Sequence, residues 1–175
     1  MYRFQRADSY LLSRYSLTHP PFIMSITIPA FDPLSIPIAG TNLIEASAGT
    51  GKTYGIAALF TRLVVLEQMP VESILTVTFT KAATAELKTR LRARLDEVLQ
   101  ALESVEDTDN LSDDLEAYCR DNHPGDVFLT GLLKQALAQE SRARLIVRLK
   151  AAIGQFDNAA IYTIHGFCQR ILRDY

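Results

Sequence analysis

The chain has 175 residues, 48% hydrophobic and 22% charged, with a formal net charge of −2. That length suits one domain with a real core and is short for a complete nucleic-acid motor. The balanced charge excludes a globally basic nucleic-acid binder, so any such role must come from a local surface. No apolar run approaches a membrane span and no signal peptide is recognisable. The two cysteines, Cys119 and Cys168, lack metal-ligand spacing and read as ordinary thiols of a reducing compartment, so the expected location is cytoplasmic.

Residues 1–28 show no sustained period, and Met24-Ser25-Ile26 would make a natural second start. They are expected to be a disordered or mis-started extension, outside the fold. Pro29, Pro33 and Pro37 then forbid a helix and favour an extended lead-in. Leu43-Ile44 reads as a short buried strand, followed by the small-residue loop Ala46-Ser47-Ala48-Gly49-Thr50-Gly51 and then Lys52-Thr53. From Thr53 to Gln68 apolar residues recur at helical spacing, and Pro70 ends the run. Ile74 to Phe79 is a β-branched run of strand length, expected to be a second buried parallel strand. Lys81 begins a helix-forming series that continues to about Ala101.

Between Asp96 and Asp126 the chain turns acidic, with Arg120 its only Lys or Arg. Glu106 to Asn110 reads as a solvated loop and Asp121 to Gly125 as a turn. A helical pattern returns over Val127 to Ile153, with Phe128, Leu129, Leu132, Leu133, Leu137, Leu145, Ile146, Leu149 and Ile153 on its apolar face. Ala159 to Ile164 is a third strand candidate, and His165-Gly166-Phe167-Cys168 leads into a short helix. Strand, helix, strand, helix argues an α/β fold with a parallel sheet. Residues 29–95 and 156–175 form its partial nucleotide-binding domain, and 96–155 a helical insertion.

The strand–loop–helix order around Gly49-Thr50-Gly51-Lys52-Thr53 is the context a phosphate-binding loop needs. Backbone N–H groups of Ala46 to Gly51 would line one concavity, to which the helix N-terminus adds partial positive charge. Gly49 and Gly51 leave room for phosphate and can adopt positive φ. Lys52 would reach the β- and γ-phosphates of ATP as a point charge, and the Thr53 hydroxyl would ligate Mg²⁺. Ala46 departs from the usual opening Gly, but a small residue still permits the turn.

In open α/β sheets ligands bind beyond the carboxyl ends of the strands. Strand two brings Phe79-Thr80-Lys81 to that edge, and strand three brings Thr163, His165 and Phe167. Hydroxyls, a cation and aromatic faces suit a nucleic-acid strand. The plain alternatives are core packing for Phe79 and Phe167, and a hydrogen-bonded structural histidine for His165. A different phosphate-loop enzyme, such as a small nucleotide kinase, and a truncated non-catalytic remnant also remain open.

Taken together, these motifs resemble superfamily 1 helicases of the UvrD/Rep type. Leu43 to Thr53 resembles their first motif, Val77 to Leu87 their Thr-Phe-Thr-x-x-Ala-Ala motif, and Tyr162 to Cys168 their Thr-x-His-x-Phe motif. With Gln169-Arg170, and with Asp32-Pro33-Leu34 and Pro37 ahead of the loop, the chain looks closer still to the RecB family, the beta subunits of exodeoxyribonuclease V. The resemblance covers roughly residues 30–175. It implies a RecA-like ATP-binding domain, incomplete here, of a motor that moves along single-stranded DNA and unwinds duplex ends in break repair and recombination. It further implies gamma and alpha subunits as partners and a distant Mg²⁺-dependent nuclease domain. Carried over by position, Lys52 and Thr53 would serve ATP and Mg²⁺, and Thr80, Lys81, Thr163 and His165 would lie along the DNA. The family also needs an Asp-Glu pair at the end of a further strand and arginines from a second RecA-like domain. No such motif follows Tyr175, so the chain is expected not to turn over ATP by itself.

Overall fold

In the computed structural model the described residues are 3–6 (backbone only), 30–45, 51–106, 108 and 110–174. The rest of the expected N-terminal extension and most of the expected phosphate loop, Ala46 to Thr50, lie outside them. The chain divides into two compact units, 1–52 and 53–175.

In the first unit, β1 (Arg3–Arg6) pairs antiparallel with β2 (Asn42–Glu45), Arg3 opposite Glu45 and Arg6 opposite Asn42. The proline-rich lead-in turns on Asp32, whose Oδ1 accepts from the Leu34 N–H (3.0 Å). Asn42 Nδ2 donates to the Pro37 carbonyl (2.8 Å), holding the lead-in against the start of β2. Arg3–Arg6 lies within the stretch read as an N-terminal extension. One expectation changes here. β2 is not a buried member of the parallel sheet, for Leu43 is 50% exposed. β1 pairs one edge of it, and only the face carrying Asn42 and Ile44 is half-buried.

The second unit is mainly helical. α1 (Lys52–Val65) is followed by a single 3₁₀ turn at Val71–Ser73, β3 (Thr76–Thr78) and the long α2 (Lys81–Glu103). Then come α3 (Leu111–Asn122), α4 (Val127–Gln139), α5 (Arg142–Gly154), β4 (Ile161–Thr163) and α6 (Ile164–Asp174). β3 and β4 pair in parallel with Thr76, Val77 and Thr78 opposite Ile161, Tyr162 and Thr163. The architecture is therefore α/β with a short parallel sheet, as the alternation of elements implied.

α2 organises this unit. Leu87, Leu91, Leu95, Val98 and Leu102 recur three or four apart and are all buried, while Lys81, Lys88, Arg90 and Arg92 stay exposed. Twenty-three residues at about 1.5 Å each give a rod about 35 Å long. Its first half packs on β3 and β4 and its later turns on α3 and α5, so one helix runs straight across position 96 from sheet to helical segment.

The single apolar pattern over 127–153 is two helices. Glu140 and Ser141 are both extended, which breaks the run and lets α5 fold back on α4. Phe128, Leu129, Leu132, Leu133, Leu145 and Leu149 are nevertheless buried as expected. Two arginines tie α5 to the ends of older helices. Arg142 donates to the carbonyls of Leu102 (2.8 Å) and Val105 (2.7 Å), and Arg148 to those of Val64 (2.5 Å) and Val65 (2.7 Å). Each supplies donors to carbonyls at or just past a helix C-terminus, where the helix itself provides none. Phe60 of α1 meets Phe156 edge-on at 6.1 Å.

Both strands are shorter than the β-branched runs suggested, and β3 is also wetter. β3 leaves Val77 44% exposed, because among the described residues it has a single neighbouring strand. α6 is amphipathic in sequence but has no buried residue, and Leu172 is 80% exposed. Among the described residues no helix is long and apolar enough to cross a membrane.

Candidate nucleotide and nucleic-acid site

The nucleotide candidates are followed from Gly51 onward. Gly51 has φ +84°, in the left-handed region that a Cβ disfavours. The next residue, Lys52, opens α1 and is exposed, and Thr53 follows it, half-buried, in the same turn. Ala46, Ser47, Ala48, Gly49 and Thr50 lie outside the described residues. What is described, a positive-φ glycine running into a helix that begins Lys-Thr, fits a phosphate group. The first N–H groups of the helix lack intrahelical partners, and a lysine and a hydroxyl stand beside them.

The second set gathers at the carboxyl ends of β3 and β4. Register puts Thr78 opposite Thr163, so Phe79, Thr80 and Lys81 on one side and Thr163 and His165 on the other leave the sheet at one level. The connections are minimal: only Phe79 and Thr80 separate β3 from α2, and β4 passes straight into α6. Thr80 is the N-cap of α2, its Oγ1 accepting from the Ala83 N–H (3.1 Å). Thr163 does the same for α6, accepting from the Gly166 N–H (3.0 Å). Threonine suits both sides of such a junction, being β-branched for the strand and a good cap for the helix. A cap oxygen that accepts from the backbone keeps its own O–H proton to donate, so capping and binding an anion are compatible.

The Thr80 corner is further braced. Its carbonyl accepts from the Thr84 N–H (3.0 Å) and the Thr78 hydroxyl (3.2 Å), and the Thr78 and Thr84 hydroxyls lie 2.6 Å apart. Gly166 is close enough to its cap that an added Cβ would stand 3.1 Å from Thr163 Oγ1.

The aromatic residues divide. Phe79 is 90% exposed and is not a core residue among the described residues, standing on the corner just past the end of β3 at Thr78. Phe167 is half-buried and stacks on Tyr162 at 6.4 Å. Arg170 lies over the other partner of that stack, 5.4 Å from the Tyr162 ring centre, and donates to its hydroxyl (2.6 Å). His165 is exposed in the first turn of α6.

Residues 32–175 match the UvrD/REP helicase N-terminal domain family. The chain belongs to this family. It is 42% identical over 159 residues to the RecBCD enzyme subunit RecB of Haemophilus influenzae, 87% of this chain and 12% of that protein. With the subunit of the same name from Escherichia coli K12 it shares 41% over 157 residues, 85% of this chain and 12% of the relative. With that of Mycolicibacterium smegmatis it shares 38% over 133 residues, 76% and 10%. The chain thus spans about an eighth or less of the length of these curated relatives. Membership in this helicase family sets aside the nucleotide-kinase alternative.

One charged cluster escaped the sequence reading. Arg94 of α2 is buried, pairing with Asp126 (2.5 Å) and Glu97 (2.6 Å). Its guanidinium lies 5.7 Å from the ring centre of Tyr54 and 5.2 Å from that of Phe128. Asp126 caps α4, accepting from the Leu129 N–H (3.0 Å), and also accepts from the Tyr54 hydroxyl (3.2 Å). Burial pushes the Asp126 carboxyl up, but the Arg94 and Leu129 hydrogen bonds outweigh it and hold it below the usual aspartate range. Burial, with the Asp126 charge adding to it, raises the nearby Cys119 thiol, a Thr130 hydrogen bond and the Arg94 charge opposing. The signal for the cluster was an arginine falling three residues after Leu91 on the otherwise apolar face of α2.

Proposed function

We propose that this chain is the N-terminal ATP-binding part of an ATP-dependent DNA helicase and exonuclease subunit acting in double-strand break repair and recombination. The observation that carries the reading is Gly51 at φ +84° leading into a helix that begins Lys52-Thr53, in a chain that matches a helicase family over residues 32–175. Mg-ATP would be held by Ala46 to Thr53, Lys52 supplying charge to the β- and γ-phosphates and Thr53 a hydroxyl to Mg²⁺. The bound ion would neutralise phosphate charge that one lysine cannot.

Single-stranded DNA would run along the carboxyl edge of β3 and β4. There the Thr80 and Thr163 hydroxyls and the first N–H groups of α2 and α6 face phosphates, with Lys81 and His165 beside them. The exposed Phe79 offers a stacking face, and Phe167 backs Tyr162. Gamma and alpha subunits of exodeoxyribonuclease V are the proposed partners, and duplex ends the substrate of the assembly. Among the described residues no strand ends in an Asp-Glu pair, Asp96-Glu97 lying inside α2. The chain by itself should therefore bind Mg-ATP without turning it over.

The test is equilibrium binding of a fluorescent ATP analogue with Mg²⁺, and of a labelled oligonucleotide across a salt series. Lys52→Ala should weaken the nucleotide at least tenfold. Lys81→Ala should weaken the oligonucleotide and lower the salt slope by about one. Unchanged nucleotide affinity in Lys52→Ala, or DNA-stimulated hydrolysis by the parent chain, would refute the respective parts.

A further inference from the structure

Tyr54 is the residue directly after Lys52-Thr53, in the first turn of α1. Its hydroxyl is bonded to the cap of α4, 72 positions away, and its ring lies beside Arg94 in the middle of α2. We infer that the Tyr54–Asp126–Arg94 cluster positions the first turn of α1, and that Asp126 is thereby a positioning residue for nucleotide binding contributed by the helical segment. The inference rests on the nucleotide reading above and adds to it a link between the insertion and the phosphate site.

The geometry supports a directed role rather than general packing. Tyr54 is 44% exposed, so its ring contributes little to the core, yet its hydroxyl is spent on a carboxylate that already has two strong partners. Asp126 needs no tyrosine for neutrality, because Arg94 supplies the charge at 2.5 Å. It needs none for its capping role, which the Leu129 N–H satisfies at 3.0 Å. What the third bond does is fix the azimuth of the helical turn that carries Lys52 and Thr53. A helix N-terminus binds phosphate well only when its N–H groups and side chains are already aimed. Arg94 holds the carboxylate still by facing it from α2, and Glu97 holds Arg94 from one turn further on (2.6 Å). The groups facing Asp126 are thus Tyr54 from α1, Arg94 from α2 and the amide of Leu129 from its own helix.

The test is a double-mutant cycle on Mg-ATP affinity in this chain, with thermal midpoints recorded alongside. Tyr54→Phe removes one oxygen and keeps the ring over Arg94. Asp126→Asn keeps a good cap for α4 but loses the charge that anchors the hydroxyl and Arg94. Each should weaken Mg-ATP about fivefold, the low end of site-to-site coupling. Tyr54→Phe should leave the midpoint close to the parent's, and the double variant should be no weaker for nucleotide than Asp126→Asn alone. Full affinity in Tyr54→Phe, or losses that simply multiply, overturns the inference while Lys52→Ala still weakens binding at least tenfold. If Lys52→Ala itself leaves affinity unchanged, the nucleotide reading fails and the inference falls with it.

Discussion

Arg148 is one place where the helical segment is fastened to α1, and its removal can be worked through in numbers. The guanidinium donates to the carbonyls of Val64 and Val65 in the last turn of α1 and pairs with Glu140 in the break between α4 and α5. The Glu140 side chain is 10% exposed and that of Arg148 25%. Breaking a fully buried pair by deleting one partner costs about 3–5 kcal/mol, most of it from the stranded charge. Allowing for the partial exposure of Arg148, Arg148→Met should cost about 2–4 kcal/mol, its stem still covering the same apolar surface.

The sharper comparison is with the double variant. Arg148→Met with Glu140→Gln leaves no stranded carboxylate, only the carbonyls of the buried Val64 and Val65 without their donor, so the loss should fall below that of the single variant, to about 1–3 kcal/mol. Urea unfolding at pH 7, followed by far-ultraviolet circular dichroism with a common m-value, measures both. A loss in Arg148→Met below about 1 kcal/mol would refute the reasoning. So would a double variant less stable than the single one.

Three other outcomes follow from the same structure. The Asp126 carboxyl is held below its ordinary value of about 3.9, so its contribution is complete above that pH and is lost as the pH falls through the lower folded value. Asp126→Asn should accordingly cost about 2 kcal/mol at pH 7, and its stability should converge with the parent's as the pH falls below the ordinary aspartate range; a gap independent of pH would argue against the Arg94 pairing. Thr163→Ala should cost about 1 kcal/mol by uncapping α6, with Thr163→Ser restoring most of it; equal stability of all three in thermal unfolding would refute the capping role. At Gly125, with φ +83° and open space around it, Ala should cost about 1 kcal/mol from backbone strain alone and Asn less, so equal midpoints for Ala and Asn would contradict the strain account.

Much of this protein was legible one residue at a time. The helices after Lys52, after Lys81 and over 127–153 were marked by apolar periodicity and helix-forming residues. The parallel pairing of β3 with β4 followed from strands alternating with helices, and the family followed from motifs read in order. These are local properties, decided by side-chain spacing and by which backbone groups a neighbouring residue can satisfy. The pairing of Leu43 and Ile44 with Arg3–Arg6, the 90% exposure of Phe79 and the break at Glu140-Ser141 were not legible, since each depends on what lies across from the residue. A β-branched run looks the same whether one strand or two flank it. The Tyr54–Asp126–Arg94 cluster shows the limit best. Each member is unremarkable in its own stretch, and only the packing of three helices puts a carboxylate, a guanidinium and a phenol within hydrogen-bond reach. Charge pairing over such distances in the chain is set by burial and geometry, which a linear pattern does not carry.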